Sequence, residues 1–207
     1  MRLYLVTPRR LELDLFKPCL EAALQGGDVA ALLIDLEDET LLAGVAEALA
    51  PIAQAAGVAA VVASDSRAVG RAGADGIHIS TGEADVRSAL ERFKPDGIVG
   101  AGSVLTRHEA MRLGELNPDY LFFGRLDKDE HDEPHTKMLD LGAWWADLFE
   151  VPAVVLCGNA LEHVPAVVET GAEFLAARTC VWSYAEGPAA AVARLNTMIA
   201  EGALNAA

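Results

Sequence analysis

The chain is 207 residues long and 52% hydrophobic, with 31 acidic against 16 basic side chains and a formal net charge of −15. That length holds one large domain or two small ones with a sizeable core. A surface this acidic repels nucleic acid and anionic lipid, whose phosphates must be neutralised by Lys or Arg, and the dense aliphatic runs exclude a disordered chain.

Short runs rich in Val, Ile and Leu predict strands at 3–6, 30–34, 59–63, 76–79, 97–99, 120–123, 153–156 and 174–177. Each run is apolar on both faces, as a parallel strand covered by helices must be. Between them, Ala-rich stretches of helical period at 40–56, 84–93, 106–116 and 161–170 predict helices. Gly57, Gly73, Gly171 and the Asn117-Pro118 pair stand where a helix stops ahead of the next strand. Eight such units at a spacing of roughly 25 residues, close to a minimal βα module, predict a single-domain (β/α)8 TIM barrel over 1–207. The alternative is an open doubly wound sheet. Cys19, Cys157 and Cys180 are odd in number and at no metal-ligand spacing, so they read as reduced thiols of a cytoplasmic protein. No apolar stretch approaches the ~20 residues of a membrane span.

A barrel of this kind places its chemistry at the C-terminal ends of the strands. Those positions hold Thr7, Asp35, Glu37, Ser64, Asp65, His78, Ser80, Ser103, Arg125, Asn159, Arg178 and Thr179. Polar residues also gather wherever a chain leaves a core for water, so the list alone decides nothing. After strands seven and eight, Gly158, Asn159, Arg178 and Thr179 suit a phosphate cup built from backbone N–H groups and a guanidinium fork. The bland reading makes Gly158 a turn residue and Arg178 a surface ion-pair partner. The connection 124–137 exceeds the ~2–6 residues usual for a βα loop and ends at Thr136 and Lys137, where an anion could be held. Its acidic part, 127–133, reads as a solvated loop rather than a metal site, and His131 and His135 as exposed histidines.

At these residues the sequence resembles the thiamine phosphate synthase and thiazole tautomerase (TenI-type) family of small TIM barrels. The most specific stretch is Ala72-Gly73-Ala74-Asp75-Gly76-Ile77-His78-Ile79, and the pattern extends from strand one to strand eight. The resemblance implies a synthase that joins a pyrimidine pyrophosphate to a thiazole phosphate with Mg²⁺ and loss of pyrophosphate, or a thiazole phosphate tautomerase. It makes Asp65 and Glu83 the metal carboxylates, Ser103 and Lys137 the matches of family site residues, and Gly158 and Thr179 phosphate contacts. Arg125 stands where the tautomerases carry a histidine.

The departures cluster after strand two. There the family has Gln-x-Arg-x-Lys, and this chain has Asp35-Leu36-Glu37-Asp38-Glu39. Anions replace cations where a pyrophosphate should bind, so Asp35 and Glu37 are expected to face a cationic or amino-bearing group. Three functions follow as alternatives. One is a synthase whose pyrophosphate is held by Arg125, Lys128 or Lys137. The second is a diverged barrel binding a small phosphorylated ligand for other chemistry, and the third a regulatory barrel without turnover. Neither nucleic acid nor membrane is an expected partner. A homodimer could form through the aromatics at 143–145 and 182–184.

Overall fold

Alternation along each strand settles which way its side chains face, and here both directions are apolar. The computed structural model describes residues 1–128 and 131–205; Asp129 and Glu130 of the acidic loop, and the side chain of Lys128, lie outside what it describes. Its strands are β1 (Arg2–Val6), β2 (Val29–Ile34), β3 (Ala59–Ala63), β4 (Gly76–Ile79), β5 (Ile98–Ala101), β6 (Tyr120–Phe123), β7 (Ala153–Leu156) and β8 (Phe174–Ala177). All pair in parallel and in chain order, and β8 returns to β1, closing the barrel. The open doubly wound alternative is thereby excluded.

The helices are α1 (Leu13–Gln25), α2 (Glu39–Ala55), α3 (Ser66–Ala72), α4 (Glu83–Phe93), α5 (Arg107–Gly114), α6 (Thr136–Leu148), α7 (Val164–Val168), α8 (Thr179–Trp182) and α9 (Pro188–Asn205). The helix expected over 161–170 is shorter, with a 3-10 turn at Leu161–His163 preceding α7. Pro165 lies in the first turn of α7, where its missing N–H costs nothing. The expected stops hold: Gly57, Gly73 and Gly171 have φ of +74°, +60° and +74°, and Asn117 has +57°. Asn is among the few residues that tolerate this left-handed turn.

Outward-facing residues such as Leu32, Val62, Ile77, Leu121 and Val155 form the main core with the helices. Inward-facing ones, among them Tyr4, Leu33, Val61, Tyr120, Phe122 and Val154, fill the barrel axis. Gly100 makes room for this filling: a Cβ there would lie 1.9 Å from Cζ of Tyr120. The ring cannot easily retreat, being stacked on His78 and edge-on to Tyr4. Gly100→Ala should therefore destabilise the fold by about 2 kcal/mol, as overpacked cores do. A denaturant midpoint equal to that of the parent chain would contradict this packing.

Candidate active site at the barrel mouth

The C-terminal ends of the strands enclose a cavity of about 260 Å³. Its wall includes Ser64, Ser80, Ser103, Phe122, Arg9 and Arg125. Ser64 and Ser103 end β3 and β5 with φ of +53° and +58°, a left-handed conformation costly for a residue with a Cβ. Both hydroxyl-bearing residues are thus held at the mouth by strained backbone. Of the expected site residues, Ser103, Arg125 and Asp35 line this cavity.

Two of the four acids in the segment after β2, Asp35 and Glu37, are paired with arginines. Arg178, only 3% exposed, reaches across the mouth to Asp35 at 2.5 Å and donates to the carbonyl of Leu126 at 2.7 Å. Arg10 forms a two-pronged pair with Glu37, at 2.7 and 3.0 Å, and holds that carboxyl below its usual range. Asp38 caps α2, its carboxylate accepting from the N–H and hydroxyl of Thr40. The mouth is therefore not the uncompensated acidic surface that the 35–39 segment suggests. On the opposite side Arg125 pairs with the Asp127 carboxylate at 2.8 Å, and Arg9 donates to the Asp127 carbonyl at 3.0 Å.

The expected phosphate cup is closed in this structure. Arg178 is neither a surface residue nor an open anion fork, because its guanidinium is committed to Asp35 and Leu126. The segment before α6 folds down on Gly158, where a Cβ would stand 1.9 Å from the Asp132 carbonyl oxygen. That close approach is what requires glycine. The N–H of Asn159 donates to the His131 carbonyl at 2.9 Å, and that of Ala160 to the Asp132 carbonyl at 3.3 Å. Beneath lies a second cavity of about 320 Å³, which shares Gly124 and Arg125 with the mouth. Thr179 opens α8 beside it in sequence, with Arg178 as its cap residue. Thr136 and Lys137 are exposed in the first turn of α6, outside the lining of either cavity, and His135 caps that helix through Nδ1.

A buried polar chain runs under the mouth. Tyr4 and Tyr120 hydroxyls meet at 2.7 Å, and the Tyr120 hydroxyl lies 3.0 Å from Nδ1 of His78. Burial pushes the His78 imidazole down to about 4 and raises both phenols, so all three groups are uncharged near neutral pH.

Comparison with known proteins fits this architecture to a lineage. The family model described as thiamine monophosphate synthase matches residues 3–181. The chain belongs to that family. It is 39% identical over 202 residues to the thiamine-phosphate synthase of Rhodospirillum centenum, covering 96% of this chain and 97% of that one. To the thiamine-phosphate synthase of Hyphomonas neptunium it is 33% identical over 205 residues, covering 95% and 93%. Among solved structures, thiamine phosphate pyrophosphorylase from Pyrococcus furiosus superposes with a TM-score of 0.78 at 21% identity, covering 97% and 96% of the two chains. That last likeness speaks to the barrel alone.

Against the thiamine monophosphate synthase pattern, the carboxylates expected for Mg²⁺ are spent elsewhere. Asp65 Oδ1 caps α3, accepting from Arg67 and Ala68 N–H at 2.8 and 3.2 Å. Glu83 lies between two guanidinium groups, Arg112 at 2.5 Å and Arg87 at 3.3 Å. A carboxylate with both oxygens on arginines does not fit a cation, and neither residue lines the mouth cavity. Among the described residues no group of three or more His, Cys, Asp or Glu is placed to hold a metal. Magnesium thus rests on family membership.

Sequence inspection missed Arg9 and the tyrosine pair. The signal for Arg9 was present, since Thr7-Pro8-Arg9-Arg10 places two of the chain's few cations directly at a strand end. The tyrosines were hidden inside apolar runs. Of the aromatics considered for a dimer, Trp145 is buried and donates to the Val151 carbonyl, Trp182 donates to that of Val6 while edge-on to Phe16, and Trp144, Trp182 and Tyr184 are half-buried. Cys157 and Cys180 are buried thiols with sulfurs 3.5 Å apart, in keeping with a reduced set. Among the described residues no helix is long and apolar enough to cross a membrane.

Proposed function

We propose that this chain is a transferase of the thiamine-phosphate synthase kind, which binds a small phosphorylated thiazole and joins it to a pyrimidine carried on pyrophosphate. The observation that carries this reading is the charge balance at the mouth. Of the acids that seemed to repel pyrophosphate, Asp35 and Glu37 are paired with Arg178 and Arg10. Arg9 and Arg125 remain on the cavity wall, tied only to Asp127 among the hydrogen bonds and ion pairs described. Cations at this place receive the charge of a departing pyrophosphate, the largest electrostatic demand of the reaction. Ser103 offers a hydroxyl to the bound substrate, and Lys137 and Thr136, exposed outside both cavities, would reach the anion only after the segment before α6 moves.

Gly158, Asn159 and Thr179 hold the thiazole phosphate once the carbonyls of His131 and Asp132 release their N–H partners. Phosphate is a stronger acceptor than a carbonyl, so the exchange is favourable at a glycine that admits close approach. The decisive assay mixes purified protein, both substrates and Mg²⁺, and measures thiamine phosphate. Product should form, and Arg125→Ala should lower kcat/KM at least tenfold through lost charge stabilisation. No product at high protein concentration sinks the synthase reading.

A second reading, a phosphate-ligand-binding barrel without turnover, draws on the closed state of the cup. Calorimetric titration separates the two: it requires heat on adding thiazole phosphate from a protein that makes no product.

A further inference from the structure

We infer that His78 is a neutral hydrogen-bond donor at the floor of the mouth cavity, held in its Nε2–H form by Tyr4 and Tyr120, and that it takes an uncharged heterocyclic acceptor of the substrate. Its neighbours Ile77 and Ile79 pack outward, so its ring points along the barrel axis. There it lies in register with Ala63 on one side and Gly100 on the other. The side chain is 1% exposed, lines the cavity, and leaves Nε2 with no hydrogen-bond partner among the described residues. A buried polar atom facing a cavity without a partner marks a place for a ligand atom.

The place of the leftover hydrogen selects the tautomer. When Tyr4 donates to Tyr120 and Tyr120 donates to Nδ1, both hydroxyl hydrogens are placed and the ring hydrogen falls on Nε2. The reverse chain begins with Nδ1–H and ends on the Tyr4 oxygen, leaving the Tyr4 hydrogen with no acceptor among the described residues. Putting both donors onto the Tyr120 oxygen strands the Tyr120 hydrogen in the same way. Each arrangement makes two bonds from three hydrogens: the first leaves over Nε2–H, on a side chain that lines the cavity, whereas the others leave over a hydroxyl hydrogen of Tyr4 or Tyr120, neither of which lines it, so the first prevails. Tyr4 and Tyr120 are positioning residues; His78 alone meets the ligand.

The surroundings choose the kind of acceptor. Phe122 presents its ring to His78 at 5.4 Å and 70°, and no cation contacts the imidazole among the described residues. Phosphoryl oxygens would forfeit solvation here for a single neutral donor, whereas Arg9 and Arg125 stand on the same cavity wall. Gly102 keeps the approach open: a Cβ there would be 2.6 Å from Nε2 and 2.9 Å from the Ser80 hydroxyl. The substrate therefore enters with its ring nitrogen or carbonyl toward His78 and its charged end toward the arginines. This orientation rests on the reading of the mouth as the substrate site; the tautomer does not.

The test is nitrogen-15 NMR of the wild-type protein with labelled histidine, His78 being assigned by its contacts to the stacked Tyr120 ring. In the free protein the hydrogen should sit on Nε2; a hydrogen on Nδ1 overturns the relay. Adding free pyrimidine should move the Nε2 resonance, and adding inorganic pyrophosphate should leave it in place. A response to pyrophosphate, or to neither compound, overturns the assigned ligand chemistry. In Tyr120→Phe the hydrogen should spread over both nitrogens, and its staying on Nε2 alone removes the tyrosines from the account. Because the free-protein spectrum needs no substrate, a failed synthase assay leaves the tautomer result standing.

Discussion

Asp35→Ala is expected to lower the stability of the fold by about 3 kcal/mol, the cost of removing a carboxylate partner from a buried charge. Arg178 is 3% exposed, so its guanidinium is largely desolvated where it meets the carboxylate. The Leu126 carbonyl still accepts one N–H of the guanidinium, which keeps the loss at the lower end of the range for broken buried pairs. In a chain of this size the melting temperature should fall by roughly 6–12 °C. The contacts that join β1 to β2 survive the substitution, because Thr7 bonds the Asp35 backbone N–H and carbonyl rather than its side chain. The double variant Asp35→Ala with Arg178→Met should recover most of the loss, since removing both charges removes the desolvation penalty as well. Stability within about 1 kcal/mol of the parent for Asp35→Ala alone would mean that the pair is solvated and does not organise the mouth.

The ion pair also shows where a linear reading stops. The barrel was legible because each strand is a short run apolar on both faces, and because Gly57, Gly73, Gly171 and Asn117 mark helix ends with backbone geometry few residues accept. Charge was misleading for the opposite reason. Asp35 and Arg178 are 143 positions apart, so counting charges segment by segment sees an acidic stretch on one strand end and a stray arginine on another. Closure of the barrel brings β8 next to β1 and turns the two into one neutral unit. Arg10 and Glu37, 27 positions apart, follow the same logic. The ion pair of Glu83 was hidden in the same way: nothing local to Glu83 announces Arg112, which reaches it from α5. His78 was readable in part, as a polar residue near the C-terminal end of a strand; with both faces of the strand apolar, the face it takes was not. Its tyrosine partners come from β1 and β6, and only the closed sheet sets the three side chains in a line.

That line of groups has a consequence for pH. Below the unfolded histidine pKa, 6.5, the unfolded chain takes up a proton at this residue, while the folded protein resists it until about 4 because burial penalises the cation. The unfolded state then binds more protons, so stability is fully present above pH 6.5 and falls as the pH drops toward 4. The slope is about 1.4 kcal/mol per pH unit, giving a loss of about 3 kcal/mol across the window. Tyr4 and Tyr120 stay protonated throughout, their phenols being raised, and add no titration of their own. The lowered carboxyls of Asp28, Glu37 and Asp38 lose their contributions near and below their unfolded pKa values of 3.8 to 4.5, at the acid end of this range. Denaturant unfolding of the parent and of His78→Gln at a series of pH values isolates the histidine, because every other group is common to both. The difference in stability between them should shrink as the pH falls from 6.5 to 4, since glutamine has no proton to gain. Parallel curves would mean that His78 is protonated in the folded protein, and a cation at the cavity floor would then face the substrate in place of a neutral donor.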